Sequence, residues 1–449
     1  MAKIYLISKS NTSFARRLSP DGFVQGFANA LSRLGNEVTC IITNNLPDWL
    51  VKDYILSHTP NLIISFNNQG VSEELLRKTD IPFFLFCSDN IPFIRCPHLV
   101  SSFPTRYFVL HHSSETLSQF CQAFPDFPSE HHIVFGHASD LRARKYEQDI
   151  SVSFIGSMGN WDKSSVRYFQ KMSEKVIKAP QLYPYDINEL KEQYLQKLDE
   201  FIQNPLTPPI NNLPLWEKIT NTNFSQSLTL TATCQKRFEI LNQLTDIGLK
   251  IFSYPEGMAD VLSYSKELFK CYDFSLSVTL EDSEKNFNRS KISLNLPHAQ
   301  AITGFSWRVC DILASNACLV SDKRKDLEEL MKPYIKLPMY ETAAEAKELI
   351  KKLLKDDVWR QDIVSASQKM IDENCRFERK IMDIQNVTGI KMALPQAISP
   401  DIQYLSSDTF INMISAKPKR ADRGGYLQKL KYKIWKHLDK KLRKKGIIQ

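Results

Sequence analysis

The sequence lacks a long apolar run and a leader segment. Nowhere in its 449 residues are there eighteen consecutive apolar side chains, which is close to the length that a membrane-spanning helix requires. The N-terminus, MAKIYLISKSNTSF, is a charged start followed by a short strand pattern, without the apolar segment and cleavage site of a secretory signal. We therefore expect a protein that stays in the cytoplasm.

Paired cysteines are also missing. The nine cysteines are odd in number, scattered along the chain and never arranged as C-x-x-C, which argues against a disulfide framework or a zinc site. No cluster of His, Asp and Glu has metal-ligand spacing, and no D-x-D follows a strand pattern. We therefore predict no metal site, and we expect most cysteines to be small core residues.

Charge is unevenly distributed. The chain has a net charge of +8, but residues 417–449 carry thirteen Lys or Arg against two Asp, a net charge of +11, so the other 416 residues sum to −3. A nearly neutral body with a basic tail indicates a local anionic partner and excludes a protein that is basic over its whole surface.

Strand and helix patterns alternate through most of the chain. Apolar runs such as NLIISF (61–66) and PFFLFC (82–87) are typical of parallel strands covered on both faces. A second series begins at Asp149, is interrupted by a helix-rich stretch at about 160–230, and includes a strand pattern at 335–337. The sequence therefore predicts an α/β protein with two doubly wound halves.

The segment Asn288 to Asp322 predicts a strand, a polar loop, a helix and a second strand. Thr303-Gly304-Phe305-Ser306 opens the helix, in which Arg308 and Asp311 share one face at i and i+3. A helix N-terminus after a glycine-containing loop suits a diphosphate, because its first N–H groups are unpaired and its dipole is positive there.

This segment resembles the donor-binding segment of GT-B glycosyltransferases, and more closely that of the spore-maturation (CgeB-like) and group 1 families. Those families have a strand ending in LN or LPS, a Gly-rich loop, a helix of the type R-V-x-[DE]-x-[LM]-A-[SC]-[GN], and a strand ending in Ser/Thr-Asp. The matching residues are Leu294-Asn295, Gly304, Arg308-Val309, Asp311, Leu313-Ala314-Ser315-Asn316 and Ser321-Asp322. The resemblance covers about residues 235 to 385, and the rest of the chain by architecture only.

The resemblance implies two Rossmann-like domains that face a cleft. Residues 1–147 would bind the acceptor, and residues 148–390, with a helical insertion at about 160–230, would bind the nucleotide-sugar. Residues 391–416 would form a return segment, since in this fold the chain commonly crosses back to brace the first half. A basic amphipathic tail, 417–449, would follow.

The group 1 families place two Glu residues eight apart, the first near the transferred sugar and the second on the ribose. Thr303 and Asp311 occupy these spacings here, so the resemblance assigns ribose hydroxyls to Asp311 and leaves the first role without a carboxylate. Arg308 would hold the diphosphate through its planar fork of donors. A surface ion pair between Arg308 and Asp311 is the alternative reading.

Four further residues are candidates for the donor site. Gly156 and Ser157 follow a buried strand and would offer backbone N–H groups or room for the sugar, or form an ordinary turn. Arg237 lies where related families keep a basic residue over the diphosphate. Lys291 precedes its strand and would reach a phosphate, or be solvated.

The first half offers two candidates for the catalytic base. Asp89 follows the fourth strand, as an acidic residue does in CgeB-like proteins, and would deprotonate an acceptor hydroxyl or form an Asp-Asn turn. His111 ends the next strand and is followed by His112; two adjacent side chains point to opposite sides, so at most one faces the cleft.

The tail predicts a basic amphipathic helix. An aliphatic stripe with a Trp beside it and Lys or Arg around it favours an anionic membrane surface over nucleic acid, an acidic protein or a solvated tail. The residues expected to bind the membrane are Leu427, Leu430, Lys431, Ile434, Trp435, Leu438 and Lys441.

The function expected from the sequence is metal-independent sugar transfer of the hexosyltransferase type. The donor would be a UDP- or GDP-linked sugar, and the acceptor an envelope polysaccharide, a lipid-linked glycan or a similar molecule, at the inner face of the cell membrane. No cofactor is predicted. Two alternatives remain: a non-catalytic nucleotide- or glycan-binding assembly protein with a degenerate site, suggested by Thr303, and a nucleic-acid-binding protein acting through its tail, against which the near-neutral body argues.

Overall fold

A computed structural model describes residues 2–9, 21–44, 46–89, 94–158, 224–275, 277, 279–392 and 402–410, together with the isolated positions 192 and 196. The predicted amphipathic tail lies outside these residues, and so does nearly all of the predicted insertion, whose last residues begin a helix. In the described part of the chain, no helix is both long and apolar enough to cross a membrane.

The first unit is a parallel sheet with helices on both faces. Its strands are β1 Lys3–Ser8, β2 Glu37–Ile42, β3 Leu62–Phe66, β4 Phe83–Cys87, β5 Tyr107–His111, β6 His132–Val134 and β12 Gln403–Leu405. In space they run β12-β2-β1-β3-β4-β5-β6, and each is parallel to its neighbours. The helices that follow them in the first part of the chain are α1 Gly22–Arg33, α2 Asp48–His58, α3 Glu73–Lys78, α4 His98–Ser102 and α5 Ser114–Ala123.

The second unit repeats this architecture on a smaller parallel sheet. Its strands are β7 Ile150–Ile155, β8 Leu249–Phe252, β9 Ser290–Asn295, β10 Cys318–Asp322 and β11 Met339–Tyr340. In space they are ordered β11-β10-β9-β7-β8. Its helices are α6 Phe224–Asn242, α7 Pro255–Tyr264, α8 Lys266–Lys270, α9 Leu280–Arg289, α10 Trp307–Leu313, α11 Lys325–Met331, α12 Ala343–Lys355 and α13 Asp357–Asn374.

The burial of the strands explains why the sequence predicted them. Every residue of β3 and β4 is buried, because helices cover both faces of the sheet. The nine cysteines are free and seven of them are buried, which confirms that most are small core residues. The expected strand at 335–337 is wrong: those residues form no strand, and the edge strand β11 comes two residues later.

The C-terminal part of the described chain returns to the first unit. The helix α14, Phe377–Thr388, buries Phe377, Ile381 and Ile384 in the core of the first unit, and β12 pairs with β2. The first unit therefore includes a stretch that the sequence-based boundary at residue 390 had assigned mainly to the second. Only β12 lies within the return segment expected at 391–416, because α14 comes before it.

Phe377 is the centre of this bracing contact. Its ring stacks on Phe27 with 5.3 Å between centroids and meets Phe23 at 5.0 Å, and it is 1% exposed. A Cβ at Gly26 would lie 3.0 Å from the Phe377 ring, so the glycine allows the close approach of α1 and α14.

Phe377→Ala should lower the free energy of unfolding of the first unit by about 3 to 5 kcal/mol, because it removes a buried ring and leaves a cavity. Denaturant unfolding followed by circular dichroism measures the change. Val387→Ala on the same helix is the control: Val387 is 44% exposed, and its loss should cost less than about 0.5 kcal/mol. Equal effects of the two variants would contradict the packing described here.

Candidate functional site

A cavity of about 730 Å³ lies between the two units. Loops after β1, β3, β4 and β5 form one wall, and loops after β7, β8 and β9 form the other. The cavity therefore faces the carboxyl ends of both sheets, where doubly wound folds bind their ligands. Six of the ten residues predicted to form the site line it: Asp89, Gly156, Ser157, Arg237, Arg308 and Asp311.

Arg308 and Asp311 reach the cavity from α10. At the start of this helix the Ser306 hydroxyl donates to Asn295 Oδ1 over 2.9 Å, and the Asn295 amide donates to Ser321 Oγ over 3.0 Å. The hydrogen bonds fix the helix start to the ends of β9 and β10. The apolar residues Val309, Cys310, Ile312 and Leu313 are buried in the core of the second unit, so Arg308 and Asp311 share the face toward the cavity.

The Arg308 guanidinium is available to an anion. Among the described residues, none forms a hydrogen bond or an ion pair with it within the usual distances. Burial lowers the pKa of Arg308, and the nearby charges of Asp311, Tyr254 and Asp21 act in the opposite direction. A guanidinium remains protonated under these conditions, so Arg308 presents a planar set of charged donors to the cavity.

Asp311 is a carboxyl group buried beside this cation. It is 8% exposed, and its Oδ1 accepts a 2.6 Å hydrogen bond from the Ser139 hydroxyl of the first unit. Burial raises the pKa of Asp311 to about 7, against the opposing effects of Ser139 and Arg308. A carboxyl group with a strongly perturbed pKa in a cleft is a typical feature of a functional site.

Arg237 is part of the cavity wall but is largely occupied. Its Nε and Nη2 donate to the Leu296 carbonyl over 3.1 and 2.9 Å, and its Nη1 donates to the Ser157 carbonyl over 2.5 Å. Burial, and secondly the charge of Arg308, lower the pKa of Arg237 to about 10. The side chain therefore joins the ends of β7 and β9 and adds positive charge behind Arg308.

Gly156 and Ser157 line the cavity at the end of β7. The Gly156 N–H donates to the Phe252 carbonyl over 3.0 Å, so it belongs to the sheet and is not directed at a ligand. A Cβ at Gly156 would lie 2.8 Å from the tip of the Phe154 ring. The glycine therefore permits close packing, and the expected donation of its N–H to a phosphate does not match the geometry.

Asp89 connects the two walls of the cavity. Its Oδ2 accepts from the Asn67 amide over 2.6 Å, and its Oδ1 accepts from the Gln300 amide of the second unit over 2.5 Å. Asn67 adopts a left-handed backbone with φ of 48°, which asparagine tolerates better than most residues. Both carboxylate oxygens are thus held by amides.

The structure places His111 away from the cavity. Its ring is fully buried in the first unit, 2.9 Å from His132 between Nε2 and Nδ1, and burial lowers its pKa to about 3. His112 lines the cavity instead. Its Nδ1 lies 2.6 Å from the Cys87 carbonyl and must donate to it, so Nε2 is the acceptor nitrogen, and burial lowers the pKa of the ring.

Lys291, Thr303 and Gly304 also lie outside the lining. Lys291 is at the amino-terminal end of β9, the end opposite the cavity. The N–H groups of Ile302 and Thr303 donate to Glu115 Oε2 over 2.9 and 3.0 Å. A Cβ at Gly304 would lie 2.8 Å from the Ser113 Cβ, so this loop packs against the start of α5.

Asp21 and His298 are among the titratable residues of the cavity that the sequence did not indicate. Asp21 is the N-cap of α1 and lines the cavity. His298 lies in the loop after β9, with Nδ1 3.3 Å from the Thr233 hydroxyl, and burial lowers its pKa to about 4. An Asp before a helix pattern indicates an N-cap, but no sequence signal shows that this cap faces the opposite unit.

The raised pKa of Asp311 predicts how stability depends on pH. In the unfolded chain this carboxyl group ionises near pH 4, whereas in the folded protein it stays protonated to about pH 7. Stability is therefore lost as the pH rises through this window. Asp311→Asn should be more stable than the wild type at pH 8 by on the order of a few kcal/mol, and the difference should vanish near pH 4.

Thermal unfolding across this pH range measures the difference. Asp362→Asn, on the exposed face of α13, is the control and should not change the pH profile. A wild type and an Asp311→Asn variant with parallel profiles would contradict a buried carboxyl group at this position.

Comparisons with known proteins agree with the architecture. Residues 239–386 match the model of a family described as glycosyl transferase-like, close to the 235–385 range that carried the resemblance in the sequence. The structure of sucrose-phosphate synthase from Thermosynechococcus elongatus is similar with a TM-score of 0.50 at 10% identity, over 86% of this chain and 98% of that one. A search of curated proteins found no match.

Two other solved structures have lower similarity. The Anabaena protein HepE in complex with UDP-glucose aligns with a TM-score of 0.45 at 11% identity, over 87% of this chain and all of that one. A glycosyltransferase from Rickettsia africae aligns with a TM-score of 0.44 at 11% identity, over 87% and 99%. The two parallel sheets, the cleft between them and the similarity to sucrose-phosphate synthase show that this chain has the GT-B fold of glycosyltransferases, and residues 239–386 form a glycosyl transferase-like segment.

Proposed function

We propose that this protein is a metal-independent glycosyltransferase of the hexosyltransferase type. It moves a sugar from a UDP- or GDP-linked donor to an envelope polysaccharide, a lipid-linked glycan or a similar acceptor. The observation that carries the proposal is the position of the Arg308 guanidinium in a cavity between two Rossmann-like units. No described residue forms a hydrogen bond or an ion pair with it.

The donor lies against the second unit. Arg308 and Asp311 belong to the glycosyl transferase-like segment and share one face of α10. A guanidinium pairs with the paired oxygens of a diphosphate, and a carboxyl group accepts from ribose hydroxyls. A cavity of about 730 Å³ falls in the range of sites that bind small ligands and cofactors.

The acceptor approaches from the first unit. That wall offers the polar side chains Ser88, Asp89 and His112 beside the buried ring of Phe23. A sugar hydroxyl can be oriented by such groups while an apolar surface excludes water.

The proposed metal independence rests on the positive charge of the cavity wall formed by the second unit. The charge of Arg308 lowers the pKa of Arg237, so the two guanidinium groups lie near each other on the wall where we expect the diphosphate. Fixed charges in a partly buried site stabilise a leaving anion without reorganisation. Transfer activity should accordingly survive EDTA.

The non-catalytic alternative depended on Thr303 in place of a carboxylate. The Thr303 position lies outside the cavity lining, and its N–H holds the loop to Glu115. A threonine there therefore gives no reason to consider the site degenerate. Membership of the spore-maturation family in particular stays a prediction.

Donor binding is tested by thermal shift with a panel of UDP- and GDP-sugars. A ligand that binds the folded state at about 100 times its Kd stabilises it by about 2.7 kcal/mol. Arg308→Ala and Asp311→Ala should each lose this shift. Lys291→Ala is the matched control, because it lies in the same segment at the opposite end of β9, and it should keep the full shift.

Two results would contradict this placement of the donor. One is a full shift in Arg308→Ala, and the other is a lost shift in Lys291→Ala.

We also propose that the basic tail holds the protein on the inner face of the cell membrane. Support comes from the sequence: an aliphatic stripe with Trp435 beside it supplies burial, and each Lys or Arg near an anionic surface adds about 1 kcal/mol. Attachment there would keep the enzyme close to lipid-linked or envelope glycans.

Deletion of residues 417–449 should abolish sedimentation with vesicles that contain anionic lipid, because the deleted segment carries a net charge of +11. The truncated protein should keep the thermal shift with its donor, which shows that it is folded. Unchanged sedimentation after the deletion, or binding to nucleic acid in place of vesicles, would refute the membrane role.

A further inference from the structure

Three aspartates line the cavity, and they differ in what their oxygens contact. Asp89 has both oxygens occupied by the amides of Asn67 and Gln300. Asp311 belongs to the donor wall and accepts from Ser139. Asp21 is on the first unit, where the acceptor is expected, and its Oδ1 accepts from the Val24 N–H over 3.0 Å.

The Asp21 carboxylate accepts from two backbone N–H groups, those of Val24 and Phe23, and an ionised carboxylate has about four acceptor sites. In the described part of the chain, no side chain donates a hydrogen bond to this carboxylate. The backbone fixes its position, because the side chain caps the first turn of α1, whose residues Phe23, Val24 and Phe27 are buried in the core of the first unit. Asp21 is thus a rigidly placed carboxylate with free acceptor capacity inside the cavity.

Asp21 lies on the wall opposite Arg308, the residue that we expect to hold the leaving diphosphate. The charge of Asp21 interacts with the charge of Arg308 on the opposite wall, and with that of Asp89 on the same wall. Burial raises the pKa of Asp21 to about 6, against the opposing effect of its backbone hydrogen bonds. A carboxylate with a pKa in this range is ionised at neutral pH and more basic than an exposed one, as a general base requires.

We infer that Asp21 is the general base that takes the proton from the acceptor hydroxyl, an inference that rests on the proposed sugar transfer. As the proton moves to Asp21, the acceptor oxygen forms a bond to the anomeric carbon of the donor sugar. The bond between that carbon and the diphosphate oxygen breaks, and its electron pair leaves with the nucleoside diphosphate, which faces Arg308. Asp21 then releases the proton to water.

This assignment implies a single displacement. In the proposed step the acceptor oxygen bonds to the anomeric carbon as the diphosphate bond breaks, so the acceptor attacks the face of the sugar opposite the diphosphate. The product therefore has the inverted anomeric configuration. No covalent sugar intermediate is formed.

The test compares Asp21→Asn with Asp356→Asn. Asparagine caps helices about as well as aspartate, so Asp21→Asn keeps the start of α1 while losing the base. Asp356 is an N-cap of the same kind, accepting from the Trp359 N–H over 2.9 Å, at α13 and away from the cavity. Release of nucleoside diphosphate is measured with the UDP- and GDP-sugar panel, with simple glycosides or water as acceptor.

Asp21→Asn should lower kcat at least about 100-fold, as loss of a general base does, while the donor thermal shift is unchanged. Asp356→Asn should keep the wild-type rate. The rate of the wild type should fall below about pH 6, and Asp21→Asn should lose this dependence. The other charged or titratable residues that line the cavity are Lys9, Asp89, His112, His137, Arg237, Tyr254, His298, Arg308 and Asp311.

The outcomes separate this inference from the proposed function. A wild type that releases nucleoside diphosphate while Asp21→Asn keeps both its rate and its pH dependence would overturn the base assignment alone. A product with retained configuration would do the same. A wild type that releases no nucleoside diphosphate from any donor in the panel would overturn the proposed function, and the base assignment with it.

Discussion

The loop between β9 and α10 is held by both α/β units, and the geometry of the cavity depends on it. On its own unit, Arg237 binds the carbonyl of Leu296 and Ser306 binds the end of β9. On the other unit, Glu115 accepts two N–H groups of the loop, His137 contacts the Phe305 carbonyl over 2.6 Å, and Gly304 packs directly on Ser113. A loop bound on both sides fixes α10, and with it Arg308, relative to the first unit.

This arrangement buries ionisable groups, and burial makes their charged forms less stable. Burial raises the pKa of Asp21 and Asp311 and lowers the pKa of Arg237 and Arg308, which means that each of these groups is less stable charged than it would be in water. Part of the cost is offset by hydrogen bonds to Val24 and Ser139. A nucleoside diphosphate would offset more, because its charge opposes that of the two guanidinium groups.

Much of the fold could be predicted from the sequence, because the strands are short apolar runs and the helices carry caps. Arg308 and Asp311 were also predictable, since a spacing of three residues on a helix fixes a shared face. Other positions depend on contacts between residues far apart in sequence. The spacing of adjacent residues indicated that at most one of His111 and His112 faces the cleft, but not which one. Likewise, the sequence did not show that Gly304 meets Ser113, or that Asp21, at the start of α1, lines the cavity and faces the second unit.

We expect a nucleotide-sugar to bind between the two units, on α10. The most direct test is a crystal structure of the protein with the nucleoside diphosphate, UDP or GDP, that stabilises it most. We predict that the diphosphate lies within hydrogen-bonding distance of the Arg308 guanidinium and that the ribose hydroxyls contact Asp311. A nucleotide bound outside this cavity, or one whose phosphates contact Lys291 at the far end of β9, would contradict the account.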